Sequence, residues 1–390
     1  MKYYLDACAT TPMLDSVISV INDINRDIYG NPSSLHIEGI NAANILEKSR
    51  YKIANFFGTS FEKVIFTSGA TESVNIAIKG VCNLLKPGRL VISSLEHSCV
   101  KNAALSLKNK GWDIEYWPVD KHGNILIDYA EKLLSKPTKM VSITWAQNEI
   151  GTVQPINIIG KMCKEKEIFF HTDATQLIPH SSIDFDNSFI DLLSASSHKL
   201  QGPKGVGLLL SKLEINKSIC SINSGGNQEL GLRPGTEPIS LIAGMCKALE
   251  EIKDTIVYDG VNTKFKDSKI FDNTKKLYNL LSKYNNISLV GNTFDHNRIP
   301  NNISIIVKDK SGNPLNSRSI VRRLSDKGVF VSSGSACSSN SESENNSLVS
   351  IGIDKIFLNS LLRISLGSWI ESDKIELISS RFNEVLSDYP

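Results

Sequence analysis

No stretch of this chain approaches the roughly 20 consecutive apolar residues that a bilayer-spanning helix requires. Met1 to Pro12, which include Asp6, contain no apolar core of signal-peptide length. A cytoplasmic location without membrane attachment is therefore expected. An excess of charge of one sign is also missing: Lys and Arg number 43 and Asp and Glu 41, for a formal net charge of +2. With no Lys/Arg block to form an electrostatic footprint, direct nucleic-acid or membrane-surface binding loses support and a small-molecule substrate gains it. Paired cysteines are lacking too. Cys8, Cys82, Cys99, Cys163, Cys220, Cys246 and Cys337 are odd in number, scattered and free of any Cys-x-x-Cys pair. This argues against a disulfide framework and a structural zinc site, and leaves most of them as small buried hydrophobes. Neither the dinucleotide-binding fingerprint nor the Walker loop occurs, so nicotinamide and ATP chemistry have no motif to rest on.

What is present is a chain of 390 residues, long enough for one large domain with a deep site plus a smaller one. Short apolar runs alternate with helical patterns: Val64 to Phe66, Leu90 to Ile92, Met140 to Ile143, Ile168 to Phe170, Ile190 to Leu193 and Val206 to Leu210. These read as buried strands of an α/β domain over residues 15–255, with a mainly parallel mixed sheet. Ala43, Leu46, Ile53 and Phe57 recur at helical spacing and stop at Gly58, which suits the left-handed position after a helix. Residues 1–14 and 256–390 are assigned to a smaller α+β domain, with strands at Ile303 to Val307 and Val329 to Ser332 and a helix over Ser372 to Val385. Ser332 to Ser347, rich in Ser, Asn and Glu around Cys337, reads as a mobile loop.

In an open α/β sheet, ligands bind beyond the carboxyl ends of the strands. Thr67-Ser68-Gly69-Ala70-Thr71-Glu72 follows the first run and opens a helix. Its small residues suit an anion at a helix N-terminus, and an ordinary Ser/Thr cap is the competing reading. Glu96-His97 follows the second run, and His171-Thr172-Asp173-Ala174-Thr175-Gln176 follows the fourth. An acid at such a position suits the protonated nitrogen of a heterocycle such as pyridoxal phosphate (PLP). Alternatively His97 and His171 are structural, or join Asp173 at a metal, which no further ligand spacing supports. Lys199, at the end of Ser196-Ser197-His198-Lys199, lies at the sheet's carboxyl edge, where partial desolvation lowers a lysine pKa and readies the amine for a carbonyl. A surface lysine is the plain alternative.

Eight ordered motifs together resemble the class V aminotransferases, and within them the cysteine desulfurases of the iron-sulfur cluster assembly type. They are Asn31-Pro32-Ser33-Ser34-x-His36, Thr67 to Glu72, Glu96-His97, Asn148-Glu149-Ile150-Gly151, Asp173-Ala174-x-Gln176, Ser196-x-His198-Lys199, Arg233-Pro234-Gly235-Thr236 and Ser333-Gly334-Ser335-Ala336-Cys337. The resemblance implies a fold-type I PLP enzyme acting as a homodimer. It makes Lys199 the cofactor anchor, Asp173 the partner of the pyridinium nitrogen, His97 the residue stacked on the ring and Gln176 the donor to the ring hydroxyl oxygen. Ala70, Thr71, Ser196 and His198 would hold the phosphate, and Thr236 would reach in from the other subunit. Arg363 would bind the substrate carboxylate, with Asn148 and Asn31 nearby. Cys337 would take the sulfur of L-cysteine as a persulfide for an acceptor or iron-sulfur scaffold protein. A selenocysteine lyase, an aminotransferase or a non-catalytic sulfur-assembly subunit are the alternatives on this fold. Cys337 argues against the aminotransferase, and intact Lys199, Asp173, His97 and Cys337 argue against a non-catalytic role. The sequence departs from the family pattern at Cys8, read as a packed thiol, and at Leu230, where a basic residue is usual.

Overall fold

The protein is described here by a computed structural model covering residues 2–253, 269–284, 286–294, 297–334 and 347–389. A two-residue strand β1 (Tyr3–Tyr4) precedes helices α1 (Asp15–Asp27) and α2 (Ile37–Phe56). Seven strands then alternate with helices: β2 (Val64–Thr67), β3 (Arg89–Ser93), β4 (Asp113–Trp117), β5 (Thr138–Thr144), β6 (Phe169–Asp173), β7 (Leu192–Ser196) and β8 (Gly207–Ser211). They form one sheet in the order β2-β8-β7-β6-β5-β3-β4. Six of these strands point the same way, while β8 between β2 and β7 is antiparallel to both. Helix α3 (Ala70–Cys82) follows β2, and α4 (Ser98–Leu105) follows β3.

Alternation along the strands divides the core into two layers, because successive side chains point to opposite faces. Ile65, Leu90, Ile92, Met140, Leu192 and Leu209 pack with Val74 and Ile78 of α3 and Val100 and Ala103 of α4. Val64, Phe66, Val91, Val141, Leu193 and Leu208 pack on the other face with Val17 of α1, Leu46 and Ile53 of α2, and the helix Ile239–Lys253. A third cluster joins Tyr3 and Leu5 to Leu277, Ile303, Ile305, Leu324, Leu362 and Phe382. It covers a four-stranded antiparallel sheet built from β9 (Ile287–Leu289), β10 (Asn302–Val307), β12 (Ser332–Ser333) and β13 (Leu361–Ser365). Strand β11 (Val329–Phe330) pairs in parallel with β1, which fixes the start of the chain beside this sheet.

Two strands extend further than their apolar runs. β6 continues through His171 and Thr172 to Asp173, and β7 continues through Ser194 to Ser196. The polar side chains there satisfy one another across the sheet: His171 Nδ1 lies 2.8 Å from Ser142 Oγ, and its Nε2 lies 2.9 Å from Ser194 Oγ. Burial pushes the His171 imidazole down to about 3, so the ring is neutral. His171 is thus a structural residue inside the sheet. Among the described residues no group of three His, Cys, Asp or Glu side chains is placed to hold a metal ion. Cys337 and most of the Ser/Asn-rich segment lie outside the described residues.

Candidate active site

The carboxyl ends of β3, β5, β6 and β7 open into one cavity of about 870 Å³. Its wall includes Ala70, Thr71, His97, Asn148, Asp173, Gln176, Ser196, His198, Lys199 and Arg363. Ten of the expected site residues, drawn from six separate stretches of sequence, therefore meet in one place. Asn31 and Thr236 do not line this cavity; both are exposed on the single chain.

Lys199 ends a single 3₁₀ turn directly after β7. Its Nζ donates to the backbone carbonyl of Ala9 at 2.7 Å and to that of Cys8. Burial lowers the amine to about 8, because desolvation disfavours the charged form. Gln176 Nε2 donates to the same Cys8 carbonyl at 2.9 Å. The segment after β1 therefore forms a strap over the lysine. Further along it, Thr11 N donates to the His198 carbonyl at 3.0 Å, and Thr10 Oγ1 lies 3.1 Å from His198 Nδ1. Burial first, then the charges of Lys199 and Lys204, push His198 down to about 4.

Asp173, the last residue of β6, is buried with one carboxylate oxygen accepting from Thr175 N at 3.0 Å. Facing it across the cavity wall, His97 caps α4: its Nδ1 accepts from Cys99 N at 3.2 Å and sits 3.0 Å from Cys99 Sγ. An acceptor role at Nδ1 leaves the proton of the neutral ring on Nε2. Glu96, the strand-end acid of the Glu96-His97 motif, stands beside it. Its Oε1 accepts from Ser93 Oγ and Thr144 N, both at 2.7 Å, while Oε2 is buried without a partner. Burial, with Asp173 adding its charge, raises this carboxyl to about 8, so it is protonated at neutral pH.

The first residues of helix α3, Ala70 and Thr71, lie in the cavity wall. A Cβ on Gly207 of β8 would fall 2.6 Å from the Cα of Gly69, so glycine at 207 is what lets the start of α3 lie against the sheet. Arg233 ties the neighbouring loop to this turn through Glu72 at 3.3 Å. At the far side, Arg363 on β13 is buried. Its Nη2 donates to Asp6 Oδ1 at 2.8 Å and its Nη1 to the Asn148 carbonyl at 3.2 Å. Its Nε has no partner among the described residues.

A buried lysine with a lowered pKa, a strand-end aspartate and a helix N-terminus meet in one cavity, an arrangement suited to PLP. Comparison with known proteins agrees. Residues 3–378 match the family described as aminotransferase class-V. The chain belongs to this family. Class V aminotransferases depend on PLP, and the protein is an enzyme of this type. The chain is 37% identical over 377 residues to the cysteine desulfurase IscS of Dictyoglomus turgidum, covering 96% of this chain and 92% of that one. It is 33% identical over 376 residues to the cysteine desulfurase of Homo sapiens, covering 96% of this chain and 79% of the human protein. Among solved structures, a NifS-like protein superposes with a TM-score of 0.88 at 29% identity, covering both chains fully. SspA in complex with cysteine superposes with a TM-score of 0.79 at 33% identity, over 94% of this chain and 99% of that one.

The class V cofactor fits the residues present. Buried polar atoms without partners among the described residues, Glu96 Oε2, Thr175 Oγ1 and Arg363 Nε, belong to residues lining the cavity. Such atoms cost about 1–3 kcal/mol each if left unsatisfied, so a polar ligand offsets them. Asp6 is the residue that sequence reasoning missed, since its partner Arg363 lies 357 positions away in the chain.

Proposed function

We propose that the protein is a cysteine desulfurase that converts L-cysteine to L-alanine and passes the sulfur through Cys337 to an acceptor protein. The observation that carries this reading is the sharing of one cavity by Lys199, Asp173 and Arg363. The cysteine-desulfurase names of the relatives and the bound cysteine of SspA support it.

PLP, when bound, supplies an electron sink that weakens the bonds at the α-carbon of a held amino acid. Lys199 anchors the cofactor, and Asp173 keeps a proton on its ring nitrogen. Gln176 has a second N–H to offer the ring oxygen, and His97 covers the ring face. Ala70, Thr71, Ser196 and His198 receive the phosphate at the start of α3, where N–H groups and the helix dipole favour an anion. Arg363 takes the substrate carboxylate, a planar fork suited to it, with Asn148 beside it. An amine at about 8 spends part of its time unprotonated near neutral pH, which suits Lys199 to take the α-proton. His97 Nε2 moves protons between the substrate and the cavity. The Cys337 thiolate attacks the substrate sulfur. One S–S bond forms as the C–S bond breaks and the sulfur stays on Cys337 as a persulfide; the carbon fragment takes up at its β-carbon the proton that the Cys337 thiol gave up, regains the α-proton from Lys199 and leaves as alanine.

A homodimer follows from the same reading. Tyr29, Leu35, Ile37 and Ile40 are exposed apolar residues around the start of α2. Asn31 and Thr236, both exposed, suit roles toward a second subunit's cavity. We further propose the division into residues 15–255 and residues 1–14 with 256–390, supported by the apolar cluster that joins Tyr3 and Leu5 only to residues from Leu277 onward. Among the described residues no helix is long and apolar enough to cross a membrane. A cytoplasmic location and delivery of sulfur to an iron-sulfur scaffold complete the proposal. The test is release of sulfide and alanine from L-cysteine with a thiol reductant. Equal yields support the reading, and their absence with PLP-loaded protein rejects it.

A further inference from the structure

The strap that covers Lys199 also runs beside the arginine of the carboxylate seat. Asp6 forms a parallel bridge with Ser365, Ser365 N donates to Leu5 O at 2.8 Å, and Ala7 N donates to Ser365 O at 3.1 Å. The chain near Asp6 is thus registered against β13, two residues from Arg363. A second tie sets the curve of the strap: Tyr4 Oη donates to Thr10 O at 2.9 Å and to Asp6 O at 3.2 Å. With its backbone so fixed, the Asp6 carboxylate meets Arg363 Nη2 at 2.8 Å.

Arg363 is an expensive residue to bury, since a guanidinium loses hydration that protein groups must replace. Asp6 is its one hydrogen-bonded carboxylate partner among the described residues, and the Asn148 carbonyl takes a second donor. Together they occupy Nη1 and Nη2, so rotation of the planar fork is blocked. Nε is left buried and unpartnered in a cavity-lining residue. A guanidinium has five N–H donors, so a fork held by two of them keeps the rest in a fixed plane, which lowers the ordering cost of binding.

We infer that Asp6 is a positioning residue for substrate recognition: it orients the Arg363 guanidinium so that its remaining donor capacity faces the carboxylate of the incoming amino acid. The inference rests on the proposed role of Arg363 and deepens it. It assigns recognition of the α-carboxylate to a pair of residues 357 positions apart, rather than to the arginine alone.

The experiment compares two ligands of the PLP-loaded enzyme, L-alanine and L-alaninamide, which differ in the charge of the carboxyl group. Dissociation constants are read from the change in the cofactor's visible absorbance on titration. Wild-type protein is expected to prefer L-alanine. Asp6→Ala is expected to reduce that preference about tenfold, the scale of one charge-assisted hydrogen bond, by weakening L-alanine and leaving L-alaninamide within about twofold. Asp6→Asn keeps the size and an acceptor oxygen, and is expected to retain part of the preference. It provides the test if the alanine variant does not fold. A preference unchanged in the variant, or an equal weakening of both ligands, overturns the role of Asp6. A wild-type enzyme that does not prefer L-alanine overturns the Arg363 seat itself, and this inference with it.

Discussion

Lys199 Nζ hydrogen-bonds to the backbone carbonyl of Ala9, 190 residues earlier in the chain, at 2.7 Å. The amine is therefore held by a neutral oxygen while buried, and its charged form is penalised down to about 8. The linkage has a definite sign. Below pH 8 the folded and unfolded chains both carry the proton and the penalty is fully present. Between about 8 and the ordinary 10.5 the unfolded chain binds more protons, so stability rises with pH. The expected gain is on the order of 3 kcal/mol for a shift of this size. Urea unfolding of cofactor-free wild type and Lys199→Met at pH 7.5 and 10 checks it: wild type should gain relative to the variant. Lys199→Met should also lose the visible absorbance of the anchored cofactor.

Glu96 carries the opposite sign. Its carboxyl is raised to about 8 by burial, so the folded chain holds a proton that the unfolded chain releases at about 4.5. Wild type should lose stability as pH rises from 4.5 to 8. Glu96→Gln preserves the acceptor for Ser93 Oγ and Thr144 N without a titrating group. The variant should match wild type near pH 4.5 and exceed it by on the order of 4 kcal/mol at pH 8. Thermal unfolding at the two pH values decides, and a variant less stable than wild type at pH 8 would show that Glu96 is ionised.

Much of this site was legible because its residues sit in small-residue motifs directly after apolar runs, where strand ends meet ligands. Lys199, Asp173 and His97 all follow that rule. The edge strand β4 escaped notice because Asp113-Ile114-Glu115 alternates polar and apolar residues, as an edge strand does, and never makes a continuous apolar run. The true ends of β6 and β7 escaped because His171 and Ser194 look like loop residues until the hydrogen bond between them, and that of His171 to Ser142 of β5, are seen. Asp6 could not be read at all: its partner Arg363 is remote in sequence, and only the pairing of the strap with β13 brings them together.

Cys337→Ser should separate cofactor binding from sulfur transfer. A hydroxyl in its place cannot accept sulfur at neutral pH, where an unperturbed cysteine, with a pKa of about 8.5, is a few per cent thiolate. The described cavity residues keep their contacts in the variant. The purified variant is expected to keep the wild-type visible spectrum with PLP and to lose sulfide release from L-cysteine by about 100-fold or more. Sulfide release at the wild-type rate would remove Cys337 from the mechanism and point to Cys8 or Cys99, the thiols that line the cavity.

The loop that carries Arg233 and Thr236 begins at a strained and buried ion pair. Glu229 accepts from Arg50 Nη1 at 2.8 Å, from Arg50 Nη2 at 2.7 Å and from Phe66 N at 2.7 Å. It does so with φ at 50°, followed by Leu230 at 58°, a conformation that costs a non-glycine residue about 1 kcal/mol or more. Three hydrogen bonds to one buried carboxylate outweigh that strain. Glu229→Ala leaves the Arg50 charge buried without its partner and should destabilise the protein by roughly 3–5 kcal/mol. Leu230→Gly acts the other way: the exposed leucine makes no part of the core clusters, and glycine adopts this backbone freely. The variant should hold or gain about 1 kcal/mol, offset in part by the extra freedom of its unfolded chain. Thermal unfolding of both checks the argument. A strongly destabilised Leu230→Gly would mean that the leucine packs against a second subunit, which sedimentation of the same sample would reveal as a loss of dimer.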